Sequence, residues 1–236
     1  MKRLLALVLL VTSCGFAQSN PAPQSPSAPF QLDTFYMALM HRGDRFDPDK
    51  FHQVLTREYA YWQGIADKSD LILGGPTDNG KDDLAGVFIY RSSSAAEAAK
   101  IAEGDPLVAA HFWTAEVHPW LTKKGALQPI HHCDFTTPYY LGLLVRGPKF
   151  SPEDSPERQK IQAGHMANMQ RLSDMGKLVA AGPFADDIEL RGIFVFRTAS
   201  MDEARQLTNT DPAVQAGRLA IRLYEWKLPG EAFPRK

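Results

Sequence analysis

The residue best suited to acid–base chemistry in this sequence is His165. It lies in a long polar segment, residues 152–175, whose apolar side chains recur at helical spacing. An imidazole titrates near neutral pH and can take a proton from a small carbon acid, so one interpretation is a general acid/base. The other interpretation is a partly exposed helical histidine with no chemical task.

Asp211 is the candidate carboxylate, and it also has two interpretations. A proline follows it, and Asp-Pro favours a helix start because the carboxylate caps free N–H groups and proline has none to satisfy. The same dipeptide begins at Asp105, in a part of the chain where alignment puts Glu58 in the place of His165. Since the aspartate is present there without the histidine, the sequence favours a capping role. Whether Glu58 replaces the histidine function stays open.

Three arginines are candidates for holding an anionic group of a substrate. Arg146 ends an apolar segment just before a glycine, as Arg42 does earlier, and Arg218 and Arg222 lie near the C-terminus. Guanidinium groups bind carboxylates and phenolates through charge-assisted hydrogen bonds. Solvated surface arginines are the alternative interpretation.

Metal and cofactor signatures are weak. Residues 131–134, His-His-Cys-Asp, are of metal-ligand types, but neighbours along a connector rarely converge on one ion. The sequence contains no glycine-rich phosphate loop, dinucleotide fingerprint or nucleophile elbow. We therefore predict neither a metal site nor a bound cofactor.

Composition narrows the classes of partner. The chain has 236 residues, 44% of them hydrophobic, with 26 basic against 27 acidic side chains and a formal net charge of -1. Such a balance gives no electrostatic attraction to nucleic acids or anionic membranes. We expect a globular protein whose partner is a small-molecule ligand.

The N-terminus predicts export. Lys2 and Arg3 precede an apolar run, residues 4–11, and Gly-Phe-Ala at 15–17 has the spacing of a signal-peptidase site. The run is too short to span a bilayer. Alternatively, residues 11–14 resemble a lipobox that would leave Cys14 lipidated, so the protein is predicted to be periplasmic, extracellular or an outer-membrane lipoprotein.

Residues 18–31 are rich in proline and serine and should form an unpacked tether.

The rest of the chain contains a repeat with a period of about 106 residues. Its matched blocks keep one order: residues 71–76 with 178–183, 86–91 with 192–197, 105–108 with 211–214, and a closing tryptophan, Trp120 or Trp226. We predict two units, 32–124 and 139–230, joined by a connector, 125–138.

Only Cys133 remains as a cysteine once Cys14 is removed or acylated, so no internal disulfide is expected.

Each unit has the pattern strand, helix, strand, strand, helix, strand. Residues 35–40 and 139–145 are nearly continuous in apolar character, as in central strands, and 49–68 and 152–175 are the first helices. Ser-x-x-Glu at 94–97 and 200–203 predicts capping boxes. In the last strand of the second unit, alternation puts Leu219, Ile221 and Leu223 on one face and Arg218, Arg222 and Tyr224 on the other. The Gly-Pro pairs at 75–76 and 182–183 are interpreted as turns after strands.

This order predicts an α+β fold of tandem ferredoxin-like units. Such a unit leaves one sheet face open, and a second unit in the same chain is an obvious cover. We expect an intrachain dimeric α+β barrel and therefore a monomer that acts as a pseudo-dimer.

The second unit resembles the YCII-related family of the dimeric α+β barrel superfamily. The resemblance runs from Tyr139 to Trp226 and is carried by His165, residues 176–183, 191–196, and Asp211-Pro212 followed by Ala216-Gly217. The first unit keeps fewer of these features and is degenerate. Members usually carry one unit and pair as homodimers, and a few act on small ring compounds. The resemblance implies a catalytic pair of His165 and Asp211.

Two functions follow as hypotheses. The first is a cofactor-independent lyase or isomerase that uses His165 as general acid/base on a small anionic or aromatic metabolite. The second is a non-catalytic periplasmic protein that holds a small molecule between the two units. The sequence does not decide whether the protein is an enzyme.

Overall fold

The computed structural model of the protein describes residues 31–233, apart from the side chain of His52. The predicted signal peptide, Cys14 and the tether up to residue 30 lie outside the described residues. None of the helices in residues 31–233 combines the length and apolarity needed to cross a bilayer.

Within the described residues, seven elements of the first half are followed by seven of the same types in the same order. The first half contains β1 (Leu32–Arg42), α1 (Pro48–Asp67), β2 (Leu71–Asp78), β3 (Leu84–Tyr90), α2 (Ala95–Glu103), α3 (Pro106–Ala109) and β4 (Trp113–Lys123). The second half contains β5 (Thr137–Arg146), α4 (Pro156–Asp174), β6 (Leu178–Pro183), β7 (Leu190–Phe196), α5 (Met201–Thr208), α6 (Pro212–Gln215) and β8 (Leu219–Leu228).

The strands form one antiparallel sheet in the order β4-β1-β3-β2-β8-β5-β7-β6. β1 and β5 lie centrally in their halves, which explains their continuous apolar character. Two residue pairs, Thr77 with Trp226 and Asp78 with Glu225, join β2 to β8. The outer strands β4 and β6 meet through an isolated bridge between Trp120 and Phe184. The sheet is thus nearly closed into a barrel, and the predicted α+β fold class is confirmed.

The barrel interior is filled by apolar side chains from both halves. Met37 and Val87 of the first half and Leu141 and Val195 of the second belong to one continuous buried cluster. The residues between them on the strands point outward, toward the helices. Each sheet face that an isolated half would expose is therefore buried against the other half.

Helix starts follow the predicted caps, with one shift. The Ser94 hydroxyl accepts a bond from the backbone N–H of Glu97, whose carboxylate accepts one from Ser93. The arrangement recurs at Ser200, Glu203 and Ala199. α4 begins at Pro156 rather than at residue 152, because the Ser155 hydroxyl caps it and proline suits the first helical position.

The interpretation of the two Gly-Pro pairs as turns is wrong, since both lie within strands, β2 and β6. A Cβ atom on Gly75 would lie 2.0 Å from the carbonyl oxygen of Lys227, and one on Gly182 would lie 1.7 Å from that of Leu121. Only glycine therefore allows the backbones of the two halves to approach this closely at both junctions.

Candidate acid–base site

His165 and Asp211 form a buried pair. The Nδ1 atom of His165 lies 2.7 Å from Oδ2 of Asp211. The aspartate is 0% exposed, whereas the histidine side chain retains 11% exposure. The pair thus combines an inaccessible carboxylate with an imidazole that solvent or a ligand can still reach. We call these two residues the dyad.

Three local features position the dyad. Asp211 caps α6, and its Oδ1 atom accepts a bond from the backbone N–H of Ala213 at 2.8 Å. α4 packs so close to α6 that a Cβ atom on Gly164 would lie 3.0 Å from Cγ of Pro212. The imidazole stacks on Phe194, with ring centroids 5.8 Å apart and an interplanar angle of 20°. Asp211 therefore has both functions considered from sequence, a helix cap and a partner for the histidine.

The contact determines which ring nitrogen is free for chemistry. A carboxylate that accepts from Nδ1 favours the tautomer protonated there, because the neutral imidazole has one donor nitrogen and one acceptor nitrogen. The Nε2 atom then carries the lone pair. A substrate proton can be transferred to Nε2 while Asp211 stabilises the imidazolium that forms.

The first half has two carboxyl groups in the place of the dyad. Glu58 and Asp105 are both 0% exposed. Burial, followed by the neighbouring charge of Asp105 and a hydrogen bond to it, raises the pKa of Glu58 to about 10. Asp105 accepts bonds from the indole N–H of Trp62 at 3.1 Å and from the backbone N–H of Leu107 at 2.9 Å. Burial also raises the pKa of Asp105, against its hydrogen bonds to Glu58, Leu107 and Trp62, which lower it. With a pKa of about 10, Glu58 is the member that is protonated at neutral pH.

The sheet separates the dyad from Arg222. Phe194, against which His165 stacks, lies on the helix side of β7, whereas its neighbours Ile193 and Val195 point into the barrel. Ile193 pairs with Leu143, and Leu143 pairs with Arg222. Directly paired residues share one face of a sheet, so Arg222 projects on the barrel side. The structure does not bring this predicted substrate-binding residue to the dyad.

The other two predicted arginines gather around Phe150. The guanidinium carbons of Arg146 and Arg218 lie 5.0 Å and 5.7 Å from its ring centroid. Arg146 forms an ion pair with Asp187 at 2.5 Å, and Arg218 donates to the carbonyl oxygen of Ser151 at 2.6 Å. Their charges are thus partly engaged within the protein, and neither makes a described contact with His165.

Residues 143–227 match the YCII-related domain, a segment that includes the dyad and the three arginines. YjpA of Bacillus subtilis strain 168, described as uncharacterized, is 34% identical over 89 residues, which are 38% of this chain and 94% of that relative. The chain belongs to the YCII-related family.

Solved structures similar to this YCII-related protein agree with its fold. A haem-binding protein of Thermus thermophilus superposes with a TM-score of 0.54 at 12% identity, covering 86% of this chain and 94% of that one. A chlorite dismutase of Candidatus Nitrospira defluvii gives 0.54 at 10% identity, covering 84% and 92%. Likeness at such low identity shows the fold alone.

The connector of this YCII-related chain does not bring its candidate ligands together. The backbone N–H groups of His131 and His132 both bond to Glu231, which fixes the connector against the C-terminal segment. Burial raises the pKa of the Cys133 thiol to about 12. Within residues 31–233, no three His, Cys, Asp or Glu side chains converge on a point where an ion could sit.

A chain of titratable groups that no local sequence pattern indicated lies on the barrel side of β1 and β4. His41 lies 3.1 Å from Asp83 and 4.0 Å from Glu116. His118 lies 2.9 Å from Glu116 and 2.6 Å from Asp186 of the second half. The sequence could have placed Glu116 and His118 on one face, because they are alternate residues of strand β4. The carboxylates that His41 and His118 meet, Asp83 and Asp186, are distant in sequence, so the alternation of residues along a strand could not identify them.

Proposed function

We propose that this protein is a cofactor-independent enzyme of the lyase or isomerase class, with His165 as general acid/base. The contact of 2.7 Å between His165 and the buried Asp211 carries the proposal. A charge in the protein interior is costly unless it is well paired, so the buried Asp211 holds the imidazole in one orientation and favours its charged form. A carboxylate that orients an imidazole and stabilises its charged form is a recurrent arrangement for proton transfer.

The substrate that suits this site is a small carbon acid with an anionic or aromatic group. Nε2 of His165 takes the proton, and the same nitrogen returns it to another carbon or to a leaving group, which gives isomerisation or elimination without a redox partner. The stacked Phe194 limits movement of the imidazole.

We further propose that one chain contains one competent site. The equivalent place in the first half holds Glu58, whose pKa of about 10 keeps it protonated at neutral pH. A protonated carboxyl group cannot accept a proton, so Glu58 does not act as a general base there. The single site per chain is consistent with a first unit that has lost its own catalytic function.

The chain is proposed to be two tandem YCII-like units, 32–124 and 139–230, joined by the connector 125–138. The repeated order of elements supports this, as do the matching junctions at Gly75 and Gly182. Because each half covers the other's sheet, the chain with residues 1–17 removed should sediment as a monomer, and residues 32–124 or 139–230 alone should aggregate or self-pair. A full-length obligate dimer with soluble monomeric halves would contradict the arrangement.

Export belongs to the same proposal and is supported by the N-terminal sequence only. We propose that the first 17 residues direct secretion and that the mature protein works in the periplasm or outside the cell. Lipidation at Cys14 is the alternative to plain cleavage. Mass spectrometry of the mature N-terminus distinguishes an unmodified residue 18 from an acylated Cys14.

A second candidate function is non-catalytic binding of a small molecule between the halves. A cavity of about 300 Å³ favours it, because residues of both halves line this cavity on the barrel side of the sheet. That volume is at the small end of ligand pockets. In this case the dyad is structural, and a bound ligand is recovered unchanged.

Exchange of substrate protons with solvent tests the enzymatic proposal. A panel of small carboxylates and phenols is incubated with the protein in D2O, and deuterium at carbon is followed by proton NMR. His165→Asn can still donate to Asp211 from its amide but cannot exchange a proton, so exchange should fall about 100-fold or more. His132→Asn, on the exposed connector, is the matched control and should leave the rate unchanged.

Equal exchange rates for His165→Asn and the unaltered protein, with both folded by circular dichroism, would remove His165 from the mechanism. If the panel yields ligands that raise the melting temperature yet are recovered with no deuterium at carbon, the binding function is favoured instead.

A further inference from the structure

The cavity at one end of the barrel lies where the two halves meet. It is distinct from the dyad, because its lining faces the barrel interior. Its apolar lining consists of Leu39, Leu84, Leu143, Ile188 and Leu190. Its polar lining consists of His41, Asp82, Asp83, Glu116, Glu189, Arg222 and Tyr224. We call it the barrel-end cavity.

The two halves contribute matched positions that differ in charge. Leu39 of β1 pairs with Glu116 of β4, and Leu143 of β5 pairs with Arg222 of β8. β1 pairs with β4 as β5 pairs with β8, so these two pairs occupy the same place in each half. Both pairs contain a leucine. The partner of that leucine is Glu116 in the first half and Arg222 in the second, so the first-half wall of the cavity carries a carboxylate where the second-half wall carries a guanidinium. A pair of identical units could not have this asymmetry.

The guanidinium of Arg222 lines the barrel-end cavity. Within residues 31–233 it forms no ion pair with a carboxylate, although Asp82, Asp83, Glu116 and Glu189 line the same cavity. Asp82 is engaged by the hydroxyl group of Tyr224 at 2.7 Å, which holds the second wall against the first half. Arg222 also donates a hydrogen bond to the Tyr224 hydroxyl group, and its remaining N–H groups can bind the carboxylate of a ligand.

The opposite wall suits a cation. Asp83 and Glu116 flank His41, at 3.1 Å and 4.0 Å, and Glu189 adds a further carboxylate from the second half. The carboxylates outnumber the one arginine and the one histidine of the lining, so the cavity attracts an ammonium group. Because the floor between the walls is leucine, a small apolar group fits between the two charged ends.

We propose that the barrel-end cavity binds a small zwitterion of the amino-acid type, with its carboxylate at Arg222 and its ammonium group beside Glu116 and Asp83. The inference rests on the second candidate function for the use of this cavity and is independent of any reaction at His165. The divergence of the two halves gives the ligand one orientation, which two identical walls could not do.

Matched probes test the charge requirement at constant pH near 7.5. Alanine, valine and leucine are each compared with the carboxylate that lacks the amine and with the amine that lacks the carboxylate. Binding is measured on the protein without residues 1–17, by shifts of the methyl NMR signals of the lining leucines. At least one zwitterion should bind about 10-fold more tightly than both of its truncated partners, since each truncated probe lacks one charge-assisted bond.

Arg222→Gln and Glu116→Gln should each weaken that binding by roughly 10-fold. Arg205→Gln and Glu103→Gln make the same changes on exposed helices and should leave binding unaltered. If only the carboxylates or only the amines bind, the cavity is a ligand site but the zwitterion class is wrong. If no probe shifts the lining signals, both this proposal and the second candidate function fail, while proton exchange at His165 remains a separate measurement.

Discussion

Replacing Trp226 by alanine should lower the free energy of unfolding by about 3–5 kcal/mol, the usual cost of truncating a fully buried tryptophan. Trp226 is 0% exposed and lies at the β2–β8 junction. Its indole N–H donates to the carbonyl oxygens of Gly75 at 3.1 Å and Val87 at 3.2 Å, both in the other half. The substitution therefore removes buried apolar area and the hydrogen bonds between the halves together.

Trp120 provides a second test at the β4–β6 junction. It is also 0% exposed, and its indole N–H donates to the carbonyl oxygen of Gly182 at 3.1 Å. β4 and β6 meet through one isolated bridge, whereas two residue pairs join β2 to β8. Side chains therefore contribute a larger share of the contact at the β4–β6 junction. Trp120→Ala should cost a similar amount, measured by urea unfolding at pH 7.

Phenylalanine at either position separates the two effects. Trp226→Phe and Trp120→Phe keep most of the apolar area but lose the donor, so each should cost about 1–2 kcal/mol. Losses below about 1 kcal/mol for both alanine variants would show that the junctions do not hold the halves together. Two separate unfolding transitions in the unaltered protein would lead to the same conclusion.

The second large effect has the opposite sign, because Glu58→Gln should stabilise the protein. Folding at neutral pH requires Glu58 to take up a proton, since its pKa rises from 4.5 in the unfolded chain to about 10 in the interior. The cost is 1.36 kcal/mol for each pH unit above the unfolded value, or as much as about 3 kcal/mol at pH 7. Glutamine is neutral throughout and avoids this cost.

Glutamine also preserves the local bonds. Its amide oxygen can accept from the backbone N–H of Leu107, which now donates to Glu58 at 3.2 Å. Its amide N–H can donate to Asp105, as the protonated carboxyl group does. The gain at pH 7 should therefore approach the calculated protonation cost.

The dependence on pH gives the sharper measurement. A folded pKa above the unfolded one means that the folded state binds more protons between pH 4.5 and about 10. The contribution of Glu58 is thus fully present below pH 4.5 and is lost as the pH rises toward 10. Unfolding free energies of the unaltered protein and Glu58→Gln should diverge steadily over that range.

Glu103→Gln is the matched control, because Glu103 is exposed on the nearby helix α2. It should change stability little and should not alter the slope with pH. Parallel curves for Glu58→Gln and the unaltered protein would mean that Glu58 is ionised in the folded state. In that case the argument that the first half lacks a competent base would lose its support.

The sequence determined the strands and the two longer helices of each half, and their order. Continuous apolar runs predicted β1 and β5, and serine followed three residues later by glutamate predicted where α2 and α5 begin. Asp-Pro predicted the caps of α3 and α6. These features depend on hydrogen bonds and periodicities among residues close in the chain, so a local pattern contains the information.

The repeated sequence blocks also predicted the architecture, because two halves that each leave one apolar sheet face open have few ways to bury it. The Gly-Pro pairs could not be interpreted correctly from one half alone. Within one half, a Gly-Pro pair suggests a turn. The glycines are explained only by the close approach of the other half, whose backbone contacts Gly75 at one junction and Gly182 at the other.

Only the tertiary structure decided how the candidate residues are grouped. The family resemblance implied the pair of His165 and Asp211, and the structure shows their contact. Only the structure put Arg222 on the opposite face of the sheet, where it lines a cavity together with Glu116. It also made Glu58 a protonated group by burying it beside Asp105. Facing, burial and charge state depend on strand pairings and helix packing between residues far apart in the chain, and a local pattern cannot specify them.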